Sequence, residues 1–375
     1  MFRNLDLIVL DENYQSIAIF DVFDSLIWVD RYNEYGDFEI FIPVSEEVLS
    51  YLQKDYYVYF KESEHLMIIE DIKIVSNIEE GNYLIVTGRS LESILDRRII
   101  WEQTVLTGNF QNGIQSLLNS SIINPTITDR KISNFIFEAS TDLAITSLEF
   151  DVQINRGLNL YEVIRDLCVE RNIGFKVLLN DNNQFVFSLY AGEDRSYEQS
   201  VNPYVVFSQG FDNLVEADYS ESKRLHKNVT LVAGEGDEMD RKSTIVGVQQ
   251  GLVRREMYSN ASEISQSNQG VTMTDAEYVL QLIQRGKVDL SKAIVHKDID
   301  CKIDNTSPMF KYKDDYFMGD VVQINVGYGI ETRARVVEMM YSVSHEGVES
   351  YPIMIINDVE EFDYDGVLIP GQGGT

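Results

Sequence analysis

Histidine is the residue type that most often carries proton transfer or holds a metal, and this chain has four of them. They are His65, His226, His296 and His345. None has the spacing of a metal-binding motif, because His345-Glu346 is not followed by a second histidine at the required distance. We therefore predict that each histidine is an ordinary strand or turn residue.

Two other stretches partly match sequence motifs of catalytic or phosphate-binding sites, but neither has the complete motif. Residues 88–92 (Gly-Arg-Ser-Leu-Glu) do not have the spacing of a nucleophile elbow. Residues 285–288 (Arg-Gly-Lys-Val) lack the leading glycine and the hydroxyl of a phosphate-binding loop. No residue is therefore predicted to be catalytic, to bind a cofactor or to bind a metal. We expect no cofactor, and a protein that is not an enzyme.

Three weaker chemical interpretations have simpler alternatives. Pairs of carboxylates are expected by chance among 61 acidic residues, so counting alone leaves a glycosidase-like acid/base pair open. The acidic loop at 235–240 offers oxygen ligands to a cation but lacks the spacing of an EF-hand, which favours a solvated loop. The aromatic run from Tyr56 to Phe60 suits a sugar-binding surface, but these residues are also good strand formers, and we favour a strand.

Charge narrows the class of protein further. The chain has 31 Lys+Arg against 61 Asp+Glu, a formal net charge of −30. This balance argues against a surface that binds nucleic acid through phosphate contacts and against docking on anionic lipid. Four basic doublets, at 97–98, 223–224, 241–242 and 254–255, are either solvated or form salt bridges to an acidic neighbouring subunit.

The two cysteines, Cys168 and Cys301, are too few for a disulfide framework and suit a reducing cytoplasm. Cys168 falls on the apolar stripe of a predicted helix, so we expect a buried thiol. The first residues lack the apolar run of a signal peptide, and no apolar run approaches 18 residues, so no membrane anchoring is expected.

Residues 1–102 predict a small antiparallel barrel or sandwich. Ser45 is the predicted N-cap of a short helix over 46–52, and Ser90 of another over 91–97. The strands are predicted at 5–11, 22–32, 38–43, 55–60, 66–77 and 83–87.

Residues 103–205 predict an α/β unit. Its strongest helix begins after Asn159, with Glu162 three residues on as in a capping box. A hairpin of strands at 175–179 and 184–190 follows this helix. The remaining elements are a helix near 113–118 and strands at 132–137 and 145–152, and the apolar stripe of the strong helix is Leu160, Val163, Ile164, Leu167 and Cys168.

Residues 206–235 and 293–357 predict a second β unit, with an insertion at 236–292. Thr274 and Glu277 form a capping box that begins a helix over about 275–284 in the insertion. The unit closes with a three-strand meander between Tyr316 and Ile356, in which Pro352 fits an edge strand. Residues 358–375 predict an acidic and then glycine-rich tail.

Three stretches together resemble one family, the tail hub (tail-associated or tail-tip) proteins of long-tailed bacteriophages, which are related in fold to the baseplate hub of contractile tails. They are residues 25–43 (Ser-Leu-Ile-Trp-Val-Asp-Arg-Tyr, then Tyr-Gly-Asp-Phe-Glu-Ile and Pro43), residues 87–100 (Thr-Gly-Arg-Ser-Leu-Glu-Ser-Ile-Leu-Asp-Arg-Arg-Ile-Ile), and the closing meander with Gly319 to Val322, Arg335 to Glu338 and Pro352-Ile353.

The resemblance implies a mainly β fold with two small hub β-barrels, an α/β domain between them and an inserted domain, which is the order of units described above. It also implies a homotrimer whose six barrels match a sixfold tail tube to a threefold tip. The implied partners are the distal tail protein or tail tube, the tape measure protein and tip spike or fibre proteins. DNA would pass through the ring without specific binding, and the negative charge is compatible with such a channel.

The resemblance therefore implies a structural hub at the virion tail tip of a phage or prophage-derived particle, made in the host cytoplasm. Many relatives carry a long C-terminal extension with a cell-wall hydrolase or a receptor-binding region, whereas this sequence stops at a glycine-rich tail, so we expect a bare hub. Two alternatives stay open at this point: a tail-associated cell-wall hydrolase and a carbohydrate-binding host-adhesion protein.

Overall fold

The computed structural model describes residues 6–21, 23–77, 81–237, 241–268, 271–303, 309–344 and 347–356. The predicted acidic loop at 235–240 lies partly outside these residues, and the predicted tail at 358–375 lies wholly outside them. So do the turn between the predicted strands at 66–77 and 83–87, in part, and the turn at 345–346.

The N-terminal part is antiparallel, as its alternating apolar residues predict. In the helix α1, the Ser45 side chain accepts a hydrogen bond from the Val48 N–H, which confirms the predicted N-cap. The elements are β1 (Leu7–Leu10), β2 (Ser16–Phe20), β3 (Ser25–Arg31), β4 (Asp37–Pro43), α1 (Glu46–Tyr51), β5 (Tyr57–Phe60), β6 (Leu66–Asn77), β7 (Gly81–Ser90) and a 3-10 helix at Leu91–Arg97.

The middle part combines helices with two small sheets. The helix α4 begins as predicted, because the Asn159 side chain accepts from the N–H groups of Tyr161 and Glu162. The elements are β8 (Thr104–Asn109), α2 (Phe110–Leu118), a π turn (Asn119–Ile123), a 3-10 turn (Thr128–Arg130), β9 (Phe135–Glu138), α3 (Leu143–Thr146), β10 (Glu149–Ile154), α4 (Leu160–Glu170), β11 (Gly174–Leu179) and β12 (Phe185–Tyr190).

The last part contains the predicted capping box, with both of its hydrogen bonds between Thr274 and Glu277. The elements are β13 (Val206–Ser208), a 3-10 turn (Gln209–Phe211), β14 (Leu214–Ser222), β15 (Val229–Ala233), β16 (Ser243–Val246), a 3-10 turn (Gly251–Val253), β17 (Glu256–Asn260), β18 (Ser267–Asn268), β19 (Val271–Thr272), α5 (Asp275–Ser291), β20 (His296–Ile303), β21 (Val321–Gly327), β22 (Ile330–Ser344) and β23 (Gly347–Ile356).

One sheet of 11 strands connects the two ends of the chain. Its order is β13-β21-β22-β3-β4-β7-β6-β5-β1-β2, and β23 pairs with β22 beside this path. One edge of β22 pairs first with β21, from Ile330 to Arg335, and then with β3, from Glu338 to Ser344. The 15-residue strand β22 therefore belongs to both the closing meander and the N-terminal strands.

Four groups of buried side chains form the cores. One lies within the N-terminal strands around Trp28 and Phe60, and a second lies in the middle part around Phe110, Ile164 and Phe187. A third lies around Val322 and Val336 in the closing meander, with β20. The fourth lies between α5 and the sheet β16-β15-β17.

The mainly β fold class is confirmed, and the domain boundaries stay predictions. The prediction assigned β15 to the second β unit, but among the described strands β15 pairs with β16 and β17 of the insertion alone. Pro352 lies in β23, which pairs with β22 alone among the described strands, as an edge strand should.

Some predicted elements were wrong. Residues 145–152 were expected as one strand, but α3 ends at Thr146 and a strand begins at Glu149. The side chain of Asp142 caps α3 by accepting from the Ala144 N–H, and this local signal outweighs the β preference of Ile145.

Other differences concern elements of the N-terminal and middle parts. The strands β2 and β8 were not predicted. Ser90 precedes its helix as predicted, but its hydroxyl makes no cap and accepts instead from the Gly36 N–H.

Candidate functional site

The candidate site is the junction around Tyr32, where β22 changes its pairing partner from β21 to β3. Tyr32 directly follows β3, and its N–H donates to the Val337 carbonyl at 2.9 Å. Its ring is fully buried. The residue therefore lies at the point where the N-terminal strands, the middle part and the closing meander meet.

Glycines let three backbones approach the Tyr32 ring. A Cβ on Gly174, at the start of β11, would lie 2.4 Å from the ring, and one on Gly319, just before β21, would lie 2.2 Å from it. Gly319 also has a φ of +91°, which disfavours any other residue. Gly192 lies against the backbone of Gly319, with its missing Cβ 1.9 Å from the carbonyl group. Only glycines permit this close packing.

Hydrogen bonds fix the middle part to the junction. The Tyr32 hydroxyl donates to the Asn172 carbonyl at 2.9 Å and accepts from the Gly192 N–H at 3.3 Å. The Tyr190 hydroxyl donates to the Tyr32 carbonyl at 3.2 Å. Burial raises the pKa of Tyr32, so its phenol stays a neutral donor at ordinary pH.

A buried ion pair joins the linker after β12 to the closing meander. Nε of Arg195 donates to Oδ2 of Asp320 at 2.6 Å, and both residues are buried. The same carboxylate accepts from the N–H groups of Glu193 and Phe317. Its remaining lone pairs are thus satisfied, which a buried charge pair requires to be stable.

We expect Gly192→Ala to lower the free energy of unfolding by about 1–3 kcal/mol, because the new methyl group would overlap backbone atoms that cannot rotate away. Urea unfolding measures the change. Gly210→Ala is the matched control, since its Cβ would have no heavy atom nearer than 3.8 Å. Equal midpoints for the two variants would contradict the close approach at the junction.

A second buried polar group lies between the N-terminal strands and the middle part. Nδ1 of His65 lies 3.2 Å from Oε1 of Glu92, and the same oxygen accepts from the Val177 N–H at 2.7 Å. Ser63 donates to the carboxylate of Asp30 at 2.8 Å, and the Trp28 indole N–H donates to it at 2.9 Å. His65 lies directly before β6 and takes part in this buried group, and the prediction that every histidine is an ordinary strand or turn residue stays a prediction.

The charges of this group depend on one another. Burial alone would lower the pKa of His65, but the carboxylates of Glu92 and Asp30 outweigh it and raise that pKa to about 9. Burial would raise the pKa of Glu92, but His65 lowers it. For Asp30 burial prevails and raises the pKa. The geometry therefore favours a charged His65–Glu92 pair inside the protein.

This pair gives a pH dependence whose sign is fixed. The pKa of His65 is about 9 in the folded chain against 6.5 for the free side chain. The pair therefore contributes fully below about pH 6.5, and its contribution is lost as the pH rises through about 9. We expect the difference in unfolding free energy between the wild type and His65→Gln to shrink between about pH 6.5 and 9.5, measured by urea unfolding. A difference that stays constant over this range would contradict the charged pair.

The other residues considered for chemistry are dispersed. His226 is buried, with Nδ1 3.1 Å from the Ala293 carbonyl oxygen, and His296 begins β20. Cys168 is buried as predicted, and burial raises the pKa of its thiol far above the usual range. In the described part of the chain, no group of three or more His, Cys, Asp or Glu side chains could hold a metal ion. No helix there has the length and apolar character that crossing a membrane requires.

The aromatic run at 56–60 is a strand, as favoured. Val58 and Phe60 are buried in the N-terminal core, and Tyr57 and Tyr59 pack against the core of the middle part.

Two of the basic doublets have side chains that form ion pairs within the chain. Lys242 pairs with Asp275 at 2.6 Å, and Arg254 pairs with Glu256 at 2.5 Å. These side chains therefore already have partners within the chain.

Known structures share this fold. The tail protein from Neisseria meningitidis MC58 is 12% identical, with a TM-score of 0.55 over 95% of this chain and 97% of that one. Prophage tail protein gp18 from Listeria monocytogenes EGD-e is 15% identical, with a TM-score of 0.55 over 95% of each chain. The 43 kDa tail protein of prophage MuSo2 from Shewanella oneidensis is 10% identical, with a TM-score of 0.55 over 93% of this chain and 98% of that one.

No curated protein matches the sequence. A family described as Siphovirus ReqiPepy6 Gp37-like protein matches residues 6–355, which is nearly the whole chain. This match confirms the resemblance to phage tail proteins that the three stretches indicated. The chain belongs to the Siphovirus ReqiPepy6 Gp37-like protein family of phage tail proteins.

Proposed function

We propose that this phage tail protein is the structural hub of a tail tip, and that three copies close a ring around a channel. Each copy would contribute two small units of the hub β-barrel type, one from residues 1–102, whose β2 edge stays open within the copy, and one from residues 206–235 and 293–357. The six units would then match a sixfold tail tube to a threefold tip. The distal tail protein or tail tube, the tape measure protein and spike or fibre proteins would be the neighbours in the virion.

The observation that carries this proposal is the shared strand β22. Because β21 and β3 follow each other along one edge of β22, the N-terminal strands and the closing meander stand side by side in one sheet. The Tyr32 junction then holds the middle part against both. A ring wall built from paired units needs this kind of rigid connection within each copy.

The open end of the sheet supports ring closure. Among the described strands, β2 pairs with β1 alone, so its outer edge has no strand partner there. Ile19 on this strand is 60% exposed. An exposed strand edge can pair with another chain. In a closed ring, the edge of one copy contacts a different surface of the next copy.

The charge supports passage of DNA without binding. A channel lined by a protein with a net charge of −30 would repel the phosphate backbone. The role would be structural, without catalysis. The carboxylates of Asp30 and Glu92 near His65 are buried and therefore cannot reach a polysaccharide.

Negative-stain imaging of the purified protein tests the proposal. We expect rings with a central hole and threefold averages. Ile19→Lys places a charge at the proposed contact and should convert the rings to single copies. Ile27→Lys is the matched control and should leave the rings intact, because Ile27 is 39% exposed but its strand β3 is paired on both edges at this residue. Single particles without a hole at every concentration would overturn the proposal.

A further inference from the structure

A cleft of about 770 Å³ lies between α4, α5 and the paired strands β22 and β23. Hydrogen bonds between the two helices define its wall. Nε2 of Gln284 donates to Glu170 at 2.8 Å, and Nζ of Lys292 donates to Asp166 at 3.3 Å. The volume falls in the range of sites that bind small molecules or short peptides. The cleft lies beside the Tyr32 junction, because Arg335 and Val337 also line it.

The lining of the cleft combines exposed apolar side chains with an excess of cations. Val169 and Ile294 are each 45% exposed, and Ile355 is 55% exposed. Five lining residues are cationic and four are acidic, whereas acidic residues outnumber basic ones about two to one in the whole chain. The cations are Arg31, Arg171, Lys287, Lys292 and Arg335. The cleft therefore suits a ligand that is both acidic and apolar.

Three of these cations pair with acids of the lining: Arg31 with Glu338, Arg171 with Glu170 and Lys292 with Asp166. Arg335 has different contacts. Its Nη1 donates to the Gly319 carbonyl at 2.6 Å, and its guanidinium lies 5.7 Å from the centre of the Tyr32 ring. Its Nε is buried without a hydrogen-bond partner in the described structure, and no carboxylate there lies within 4.0 Å of the guanidinium. Burial lowers the pKa of Arg335 accordingly. A carboxylate entering the cleft would supply a counter-charge to this guanidinium.

The chain itself carries a segment with the matching chemistry directly after the cleft. Ile355 and Ile356 line the cleft and are the last described residues. Residues 358–365 follow with the sequence Asp-Val-Glu-Glu-Phe-Asp-Tyr-Asp, which holds five acids, two aromatic residues and no cation. Eight residues can extend about 26 Å, which is enough to cross a cleft of this volume.

We propose that residues 358–365 dock into this cleft of their own chain. The acidic side chains would approach the cations of the lining, and Phe362 and Tyr364 would cover the exposed apolar side chains. Because the segment is tethered at Ile356, its effective concentration at the cleft is high and weak contacts suffice. This docking does not depend on the trimeric ring.

Limited chymotrypsin digestion of the full chain tests the docking, because chymotrypsin cleaves after aromatic residues and docking protects Phe362 and Tyr364. We expect the double variant Lys287→Glu/Lys292→Glu to be cleaved there about tenfold faster than the wild type, which corresponds to about 1.4 kcal/mol of lost docking. Val169→Ser, which removes an apolar contact without changing the charge, should also accelerate cleavage. Lys54→Glu/Lys61→Glu, with the same change in charge on exposed residues outside the cleft, should not.

A distance measurement distinguishes the proposed occupant from the alternatives. Spin labels at Leu280→Cys, an exposed residue of α5 outside the lining, and at Asp363→Cys should give one narrow distance, and the two native cysteines are buried and thus protected from labelling. Dilution with unlabelled protein should leave this distance unchanged. A distance that disappears on dilution would place the segment on a second copy, and a broad distribution with equal cleavage of all variants would show an unoccupied cleft. Either result would overturn the proposal.

Discussion

Replacing Tyr32 with alanine is expected to lower the free energy of unfolding by about 3–5 kcal/mol. The ring is fully buried, and three glycine-rich backbone segments pack around it or beside it. Its removal leaves a cavity that those backbones cannot fill. It also leaves the Gly192 N–H and the Asn172 carbonyl without their partner. Urea unfolding, followed by the fluorescence of the buried Trp28 and by circular dichroism, measures the change.

Two variants separate the contributions of the ring and the hydroxyl. Tyr32→Phe keeps the packing and loses only the hydroxyl, so we expect a loss of about 1–3 kcal/mol. Tyr328→Ala removes a fully exposed tyrosine and should change the free energy by no more than about 0.5 kcal/mol. If Tyr32→Ala unfolded at the same urea concentration as Tyr328→Ala, the junction would not stabilise the fold.

The second large effect is expected for Glu92→Gln, at about 3–5 kcal/mol. The substitution takes the nearer counter-charge from a protonated histidine in a buried site, and it weakens the acceptor for the Val177 N–H. Because Val177 lies in β11 and His65 precedes β6, the change should weaken the contact between the N-terminal strands and the middle part. Thermal and urea unfolding at about pH 7 measure the loss.

The double variant His65→Gln/Glu92→Gln checks this explanation. Removing both charges should restore part of the stability, because the remaining amides carry no uncompensated charge. Glu256→Gln is the control, since its partner Arg254 forms an exposed pair, expected to contribute about 0–1 kcal/mol. A loss for Glu92→Gln no greater than that for Glu256→Gln would contradict the buried charged pair.

Local signals made much of the fold predictable. The capping residues Ser45, Asn159 and Thr274 each mark the start of a helix in the structure as in the sequence. The closing meander was predicted because β-branched residues and the glycines on either side of Tyr328 define two strands and a turn. The predicted apolar stripe of α4 is buried throughout. These features depend on residues close together in the chain, which is why the sequence alone indicates them.

Packing between distant segments was not predictable in this way. The helix α5 was expected over about 275–284, but it continues to Ser291. Gly286 is needed there because a Cβ would lie 2.7 Å from methyl groups of Val232 and Val246 on the sheet below. A glycine that permits close packing inside a helix cannot be told from a helix end without the partner surface.

The junction itself was missed for the same reason. Tyr32 and Val337 are joined by a backbone hydrogen bond across about 300 residues, and no local pattern indicates that pairing. The His65–Glu92 pair left only a weak signal: an acidic residue within the apolar run Leu91 to Leu95. A carboxylate in such a run is rarely buried without a partner, so the position of Glu92 indicated a buried ion pair.

The mass of the purified protein in solution tests the hub account most directly. One chain has a mass of 43.0 kDa, so a trimer would weigh three times that, about 129 kDa. Light scattering coupled to gel filtration measures this mass without reference to shape. We expect about 129 kDa over a wide range of concentrations. A constant mass of 43.0 kDa up to the highest soluble concentration would contradict the trimeric hub.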